Sequence, residues 1–179
     1  MDFTLTEDSQ KYERGFRELL SERGYDCKSG IRVQLKESTE REITISYEKE
    51  QAVITASETA FLYRGLMSLV MQLEAHGTEK PYAKREEIWL DHNGCMVDSS
   101  RNCVMSVSAA KAWLRMQACV GMNVMMLYTE DTYEVPEYPY FGALRGRYTA
   151  EEFKELDDYA QMLGIELIPC IEALGHLQQ

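Results

Sequence analysis

The spacing of hydrophobic residues changes in the middle of the chain. In the first half, two segments repeat apolar residues every three to four positions, which predicts amphipathic helices over residues 7–24 and 58–76. Three short segments between them are rich in alternating apolar and polar residues, which indicates strands at 31–35, 42–47 and 51–56. We therefore predict a small α+β domain over residues 1–80, built from an antiparallel sheet with helices on one face.

The second half alternates strand and helix patterns. Residues 77–86 are polar with one proline and predict a linker. The elements that follow are strands at 88–97, 124–128 and 165–171 and helices at 106–120 and 149–163. Thr149 and Glu152 have the spacing of a capping box, which marks the start of the second helix. Sequential strand–helix units imply parallel strands with right-handed crossovers.

Charged residues follow each of these three strands. They are Asp98 and Arg101 after the first, Glu130 and Asp131 after the second, and Glu172 and His176 after the third. In parallel α/β folds ligands bind at the carboxyl ends of the strands, and no glycine-rich dinucleotide motif follows the first strand. The pattern favours a barrel, although a full barrel takes ~250 residues. We predict an α/β fold in which the small α+β accessory domain precedes the first three β-strands and two helices of a (β/α)₈ TIM barrel, so that residues 87–179 are an incomplete N-terminal part of a catalytic domain.

Composition narrows the class of partner and the compartment. The 179 residues carry a formal net charge of -11 without a basic run, which argues against nucleic acid and anionic membrane as partners. The first residues are polar, unlike a signal peptide, and no apolar run reaches the ~20 residues of a membrane span. Five scattered cysteines without a C-x-x-C pair indicate reduced thiols, so we expect a cytoplasmic protein.

Several motifs in a fixed order resemble one enzyme family. They are Asp98–Asn102, Leu127–Glu134, Tyr138–Gly142 with Arg145–Thr149, and Glu166–Cys170 continuing to Gly175-His176. Together they resemble the β-N-acetylhexosaminidases of glycoside hydrolase family 20, most closely the bacterial intracellular exo-β-N-acetylglucosaminidase branch. The resemblance spans about residues 88–179, and the preceding α+β unit suits the accessory domain of that family.

The resemblance implies roles for particular residues. Arg101 matches an arginine that grips the ring hydroxyls of the sugar, and a guanidinium can donate two parallel hydrogen bonds to neighbouring oxygens. Glu130 or Asp131, and His176, match residues that orient the catalytic acids. We therefore assign Arg101, Glu130, Asp131 and His176 to substrate binding. Further supporting candidates are Asp98, Glu172, Arg145 and Arg147, and we expect one of the two arginines to be a plain surface charge. The resemblance implies no cofactor and no metal.

The implied reaction is hydrolysis of terminal, non-reducing, β-linked N-acetylhexosamine residues, GlcNAc or GalNAc, from a glycan. The resemblance implies a retaining, substrate-assisted mechanism, in which the 2-acetamido oxygen of the substrate attacks the anomeric carbon. The family's Asp-Glu pair, which supplies the general acid, follows strand four of the barrel. The 179 residues reach only three strands, so we predict an N-terminal fragment that has no general acid and is inactive alone.

Two other functions remain open on the sequence. A metal-dependent barrel lyase or isomerase could use Glu130, Asp131, Glu172 and His176 as ligands, although Arg101 would repel the cation. A non-catalytic sugar-binding or assembly module is the other alternative. An incomplete barrel exposes a strand edge and apolar faces, so we expect a homo-oligomer formed through that edge.

Overall fold

A computed structural model describes residues 1–101 and 103–171, which form two β-sheets with helices packed against them. The first sheet has the strand order β1-β2-β4-β3-β5, with β1 at Phe3–Leu5, β2 at Ile31–Glu37, β3 at Glu42–Glu48, β4 at Gln51–Ala56 and β5 at Tyr82–Glu87. The second sheet has the order β6-β7-β8, with β6 at Gly94–Asp98, β7 at Val124–Tyr128 and β8 at Glu166–Cys170. The helices are a 3₁₀ helix at Glu7–Tyr12, α1 at Glu13–Ser21, α2 at Thr59–His76, α3 at Val107–Val120 and α4 at Ala150–Met162. None of the helices in these ranges is long and apolar enough to cross a membrane.

The first sheet is mixed, so the prediction of an antiparallel sheet is wrong. β2 pairs in parallel with both β1 and β4, whereas β3 pairs antiparallel with β4 and β5. β4 lies between β2 and β3, which are consecutive in sequence but not neighbours in the sheet. β3 and β4 do form a tight hairpin, since Lys49 and Glu50 have φ values of 51° and 60°. Type I′ hairpin turns need positive φ at both central residues, and without glycine or asparagine this one gave only a weak sequence signal.

β5 occupies the second half of the segment predicted as a linker over residues 77–86. Its sequence is mainly charged because it is the edge strand of the sheet, where charge discourages pairing with other chains. Arg85 pairs with Glu42 on the neighbouring strand, and Glu86 pairs with Arg64 at 2.7 Å. Ion pairs, rather than alternating apolar residues, therefore accompany this strand, and periodicity could not reveal it.

The strand predicted over 88–97 begins only at Gly94. Residues 88–93 cross from the first sheet to the second. The Asn123 side chain forms hydrogen bonds with two backbone groups of this segment. Its Oδ1 accepts from the Asn93 N–H at 2.9 Å, and its Nδ2 donates to the Asp91 carbonyl at 2.7 Å. Trp89 and Leu90 are 82% and 59% exposed, so of the three apolar residues that suggested a strand at 88–90 only Ile88 packs against the core.

Helix α2 packs tightly against the first sheet. Leu62, Leu66 and Leu69 are fully buried, and burying each contributes roughly 1.5–3 kcal/mol. Gly65 allows the closest approach, because a Cβ there would lie 2.6 Å from Ile54 Cγ2.

The second sheet has the predicted arrangement of three parallel strands connected by two helices. Helix α3 begins where Ser106 Oγ accepts from the Ala109 N–H at 3.3 Å, and it ends at Gly121, whose φ is 77°. Helix α4 begins with the predicted capping box, in which Thr149 Oγ1 accepts from the Glu152 N–H at 3.1 Å. The parallel register places the carboxyl ends of β6, β7 and β8 at one edge of the sheet.

A polar cluster joins α1 to α3 and α4. Arg115 Nη1 donates to the Tyr159 hydroxyl at 2.8 Å, and that hydroxyl donates to Glu18 Oε2 at 2.7 Å. Arg115 also forms ion pairs with Glu22 and, at 3.9 Å, with Glu18. Burial raises the pKa of Tyr159 to about 12, so it stays protonated and able to donate at neutral pH. The cluster therefore links α1 to α3 and α4, the two helices that connect the strands of the second sheet.

Candidate functional site

The candidate site begins where β6 ends, at Asp98. The Asp98 carboxylate folds the next residues into a tight turn, accepting from the Ser100 N–H at 2.8 Å and from the Ser100 hydroxyl at 2.6 Å. These two hydrogen bonds, helped by the charge of Arg101, hold the pKa of Asp98 below its usual value. Ser99 and Ser100 are buried, so the turn that carries Arg101 is well anchored.

Arg101 connects the ends of β6 and β7. Its Nη1 donates to Asp98 Oδ2 at 3.1 Å and lies 3.3 Å from Glu130 Oε1. Its Cζ lies 5.3 Å from the centre of the Tyr128 ring, within cation–π distance. A hydrogen bond with Tyr128 and the charges of Asp98 and Glu130 raise the pKa of Arg101. The side chain is nevertheless 59% exposed, so the guanidinium remains accessible to a ligand.

Glu130 is held in an unusual backbone conformation directly after β7. Its φ is 50°, in the left-handed region, which costs a non-glycine residue about 1–3 kcal/mol. Its side chain is 12% exposed, and Oε1 accepts from the Tyr128 hydroxyl at 3.1 Å. Two buried residues close to Glu130 are hydrogen-bonded: the Thr129 N–H donates to the Cys170 carbonyl, and the Thr132 N–H donates to the Thr129 carbonyl. The surrounding structure thus keeps the Glu130 carboxylate beside Arg101.

The loop between β7 and α4 brings two more arginines to this region. Arg145 forms an ion pair with Asp131 and donates through Nη2 to the Ser100 backbone carbonyl. Arg147 donates through Nη1 to the carbonyls of Pro139 and Phe141, at 3.2 and 2.6 Å. The Arg145 and Arg147 side chains are only 28% and 26% exposed, so neither is the plain surface charge that we expected of one of them.

The structure thus brings together five of the eight site residues predicted from the sequence. These are Asp98, Arg101, Glu130, Asp131 and Arg145. Arg147 supports the loop that carries Arg145. Glu172 and His176 lie outside the described residues.

Ser100 and Tyr128 belong to the same cluster but were missed in the sequence. Ser100 sits two residues after Asp98, the spacing of an Asp-initiated turn, and this spacing could have identified it. Tyr128 shares a face of β7 with Val124 and Met126, opposite the buried Met125 and Leu127. Strand alternation alone therefore predicts that Tyr128 points away from the helices.

The apolar cavity beside α4 and the absence of a metal-binding cluster from the described residues both bear on what this site could bind. A cavity of about 560 Å³ lies between α4 and β8, lined by residues that include Leu127, Phe153 and Leu167 but not Arg101. Over residues 1–101 and 103–171, no group of three or more His, Cys, Asp or Glu side chains is arranged to hold a metal ion. What the site offers is an accessible guanidinium next to carboxylates, which suits hydrogen bonding to neutral polar ligands.

Comparison with protein-family models finds no match. Comparison with solved structures finds close similarity in fold. A β-N-acetylhexosaminidase from Bacteroides fragilis NCTC 9343 matches with a TM-score of 0.72 at 22% identity, over 98% of this chain and 40% of that one. A family 20 β-N-acetylhexosaminidase from Streptomyces coelicolor A3(2) matches with a TM-score of 0.70 at 20% identity, over 94% and 41%.

A third similar structure is a family 20 exo-β-N-acetylglucosaminidase from Vibrio harveyi in complex with N-acetylglucosamine. Its TM-score is 0.71 at 19% identity, over 94% of this chain and 32% of that one. The present chain spans about 40% of the length of the first two structures and a third of the Vibrio enzyme. The chain therefore has a mixed α/β fold that matches TIM-barrel enzymes of glycoside hydrolase family 20 over part of their length.

Proposed function

We propose that this chain forms the accessory unit and the first part of the barrel of a family 20 β-N-acetylhexosaminidase. The whole protein would remove terminal, non-reducing, β-linked GlcNAc or GalNAc residues from glycans. The observation that carries the proposal is the Arg101 cluster at the carboxyl edge of a parallel sheet, in a fold similar to those of the two solved hexosaminidases from Bacteroides fragilis and Streptomyces coelicolor. We further assign the protein to the exo-β-N-acetylglucosaminidase branch and to the cytoplasm. The second assignment is supported by the five cysteines, all in the described residues, which form no disulfide.

The chemistry of the cluster suits a sugar. Ring hydroxyls both donate and accept, so they pair best with a donor and an acceptor held side by side. Arg101 supplies the donor, and the carboxylates of Asp98 and Glu130 supply acceptors within 3.3 Å of its Nη1. The bidentate fork of a guanidinium matches two adjacent hydroxyls, which a lysine ammonium does not. In this assignment Arg101 and Glu130 bind the non-reducing sugar, together with His176, which lies outside the described residues.

Catalysis itself is assigned to residues outside this chain. We propose a retaining mechanism in which the acetamido oxygen of the substrate attacks the anomeric carbon, while an Asp-Glu pair after a fourth strand orients that group and protonates the leaving oxygen. The short span of the chain relative to its structural neighbours supports this division. Residues 1–179 would then supply part of the sugar-binding surface and no general acid.

The test is hydrolysis of 4-nitrophenyl N-acetyl-β-D-glucosaminide, and of the matching galactosaminide, by residues 1–179 and by the whole protein. Each is assayed with and without a chelator. We expect release of nitrophenolate by the whole protein only, unchanged by chelator. Hydrolysis by residues 1–179 alone would contradict the assignment of the general acid to another segment. Chelator-sensitive activity, or none in either protein, would favour the metal-dependent enzyme or the non-catalytic binding module.

A further inference from the structure

We propose that Arg145 is a positioning residue that fixes Arg101 for sugar binding, an inference that rests on the function proposed above. Arg145 joins the two loops that meet at Arg101. One nitrogen of its guanidinium pairs with the Asp131 carboxylate, and the other donates to the Ser100 backbone carbonyl. Among protein side chains, only the planar fork of arginine presents two rigidly spaced donors of this kind.

Both partners of Arg145 are direct sequence neighbours of the sugar-binding groups. Ser100 precedes Arg101, and its hydroxyl accepts a hydrogen bond from Arg101 Nη1. Asp131 follows Glu130, whose carboxylate lies 3.3 Å from Arg101 Nη1. The contacts therefore close a ring that runs from Arg101 through Ser100, Arg145, Asp131 and Glu130 back to Arg101.

Arg101 needs such support because most of its side chain is in solvent. At 59% exposure it is not packed in place, and an arginine side chain has roughly 2 kcal/mol of rotamer entropy to lose when it is ordered. Glu130, its carboxylate partner, also needs its positive φ of 50° to be maintained. Holding Ser100 and Asp131 together fixes the backbone on both sides of the pair, so Arg101 is ordered before a sugar arrives.

The loop that delivers Arg145 is itself built to a fixed shape. Gly142 has a φ of 65° and packs so closely that a Cβ would lie 2.2 Å from the Asp131 carbonyl oxygen. Arg147 donates to the Phe141 carbonyl at 2.6 Å, which closes the same loop from within. Tyr133 and Phe141 stack edge-to-face with ring centres 5.2 Å apart. Arg145 therefore reaches Ser100 from a rigid platform.

The test compares Arg145→Gln and Arg145→Lys with the matched control Arg41→Gln. Arg41 makes contacts of the same type, to the Asp91 carboxylate and the Trp89 and Ile88 carbonyls, but at the loop before β6. The first readout is the order of the Arg101 Nε–H group, from its ¹⁵N relaxation in the full chain without ligand. The second is the affinity of the whole protein for methyl N-acetyl-β-D-glucosaminide, from NMR titration that follows the signals of the sugar.

We expect Arg101 to be ordered in the wild type and mobile in Arg145→Gln, with a loss of sugar affinity of about tenfold or more, as for a lost charge-assisted hydrogen bond. Arg145→Lys, which cannot make both contacts at once, should also lose most of the order of Arg101 and of the sugar affinity. Arg41→Gln should change neither readout. Unchanged order of Arg101 in Arg145→Gln, or unchanged affinity where the wild type binds, would overturn the positioning role. Arg101 disordered by Arg145→Gln, in a whole protein whose wild type binds no sugar, would support the positioning role and contradict the proposed function.

Discussion

Replacing Arg115 with methionine tests how firmly α1 is attached to the helices of the second sheet. The Arg115 side chain is 16% exposed and contacts Glu18, Glu22 and Tyr159, so it is the centre of the polar cluster between α1, α3 and α4. Methionine preserves much of the aliphatic stem and removes the charge. The change thus isolates the polar contacts from the packing.

The expected loss of stability follows from those contacts. The hydrogen bond from Arg115 to the Tyr159 hydroxyl, 2.8 Å long, involves a charged donor and contributes ~1.5–3 kcal/mol. The ion pairs with Glu18 and Glu22, which are 41% and 48% exposed, add about 0–1 kcal/mol each. Methionine offsets part of this loss of stability. The Arg115 Nε–H is buried without an acceptor in the described structure, and removing it also removes the cost of its desolvation. We expect a destabilisation of about 2–3 kcal/mol, or a fall in Tm of ~4–12 °C for a chain of this length.

The assay is urea unfolding of wild type, Arg115→Met, Tyr159→Phe and the double variant, followed by circular dichroism. The coupling free energy between Arg115 and Tyr159 should be about 1 kcal/mol or more, since the residues touch. The matched control is Lys154→Met, which breaks an exposed pair with Asp158 on α4 and should cost less than about 0.5 kcal/mol. An Arg115→Met variant as stable as this control would refute the claim that the cluster holds the helices together.

Three further predictions concern the second sheet. Gly94→Ala should destabilise the chain by more than about 3 kcal/mol in urea unfolding, because a Cβ would lie 1.8 Å from the Val124 carbonyl oxygen; an unchanged midpoint would contradict the β6–β7 register. Ser100→Ala should raise the pKa of the Asp98 carboxyl toward its ordinary value of 3.8 in a ¹³C NMR titration, and an unchanged pKa would show that Ser100 is not the cause. Because that pKa is lowered in the folded state, the stabilisation is present above pH 3.8 and is lost as pH falls through the folded pKa, so the variant should lose less stability on acidification. Met96, 58% exposed on an edge strand of the described sheet, should contribute to self-association, which Met96→Lys should weaken in light scattering; a wild-type monomer at micromolar concentration would count against this.

Hydrophobic periodicity predicted the positions of helices and strands best where one or both faces of the element are buried. It correctly placed α3, β7, α4 and β8, because each packs against neighbours in a parallel sheet and each helix carries a recognisable cap, such as Ser106 or Thr149. It failed at β5 and at residues 88–93. In the first case charged pairs accompany an edge strand, and in the second the Asn123 side chain holds a crossing segment together. Neither ion pairs nor side-chain hydrogen bonds to the backbone produce a repeating pattern of hydrophobic residues in the sequence.

The candidate site was predictable only at the level of strand ends. Asp98 and Glu130 could be expected to lie close together, since parallel strands bring their carboxyl ends to one edge. The bridge from Arg145 to the Ser100 carbonyl could not, because the two residues are 45 positions apart and meet through the shape of a loop. The left-handed conformation of Glu130 is equally a product of tertiary structure, since glutamate has no local preference for positive φ.

The most direct test of the account is the catalytic efficiency of the whole protein carrying Arg101→Met, with 4-nitrophenyl N-acetyl-β-D-glucosaminide as substrate. Loss of two charge-assisted hydrogen bonds to the sugar, at ~1.5–3 kcal/mol each, should lower kcat/KM by about 100-fold or more. The control Arg17→Met removes an exposed arginine that pairs with Glu13 on α1, and it should leave kcat/KM unchanged. A wild-type kcat/KM in Arg101→Met would contradict the assignment of this cluster as the sugar-binding site.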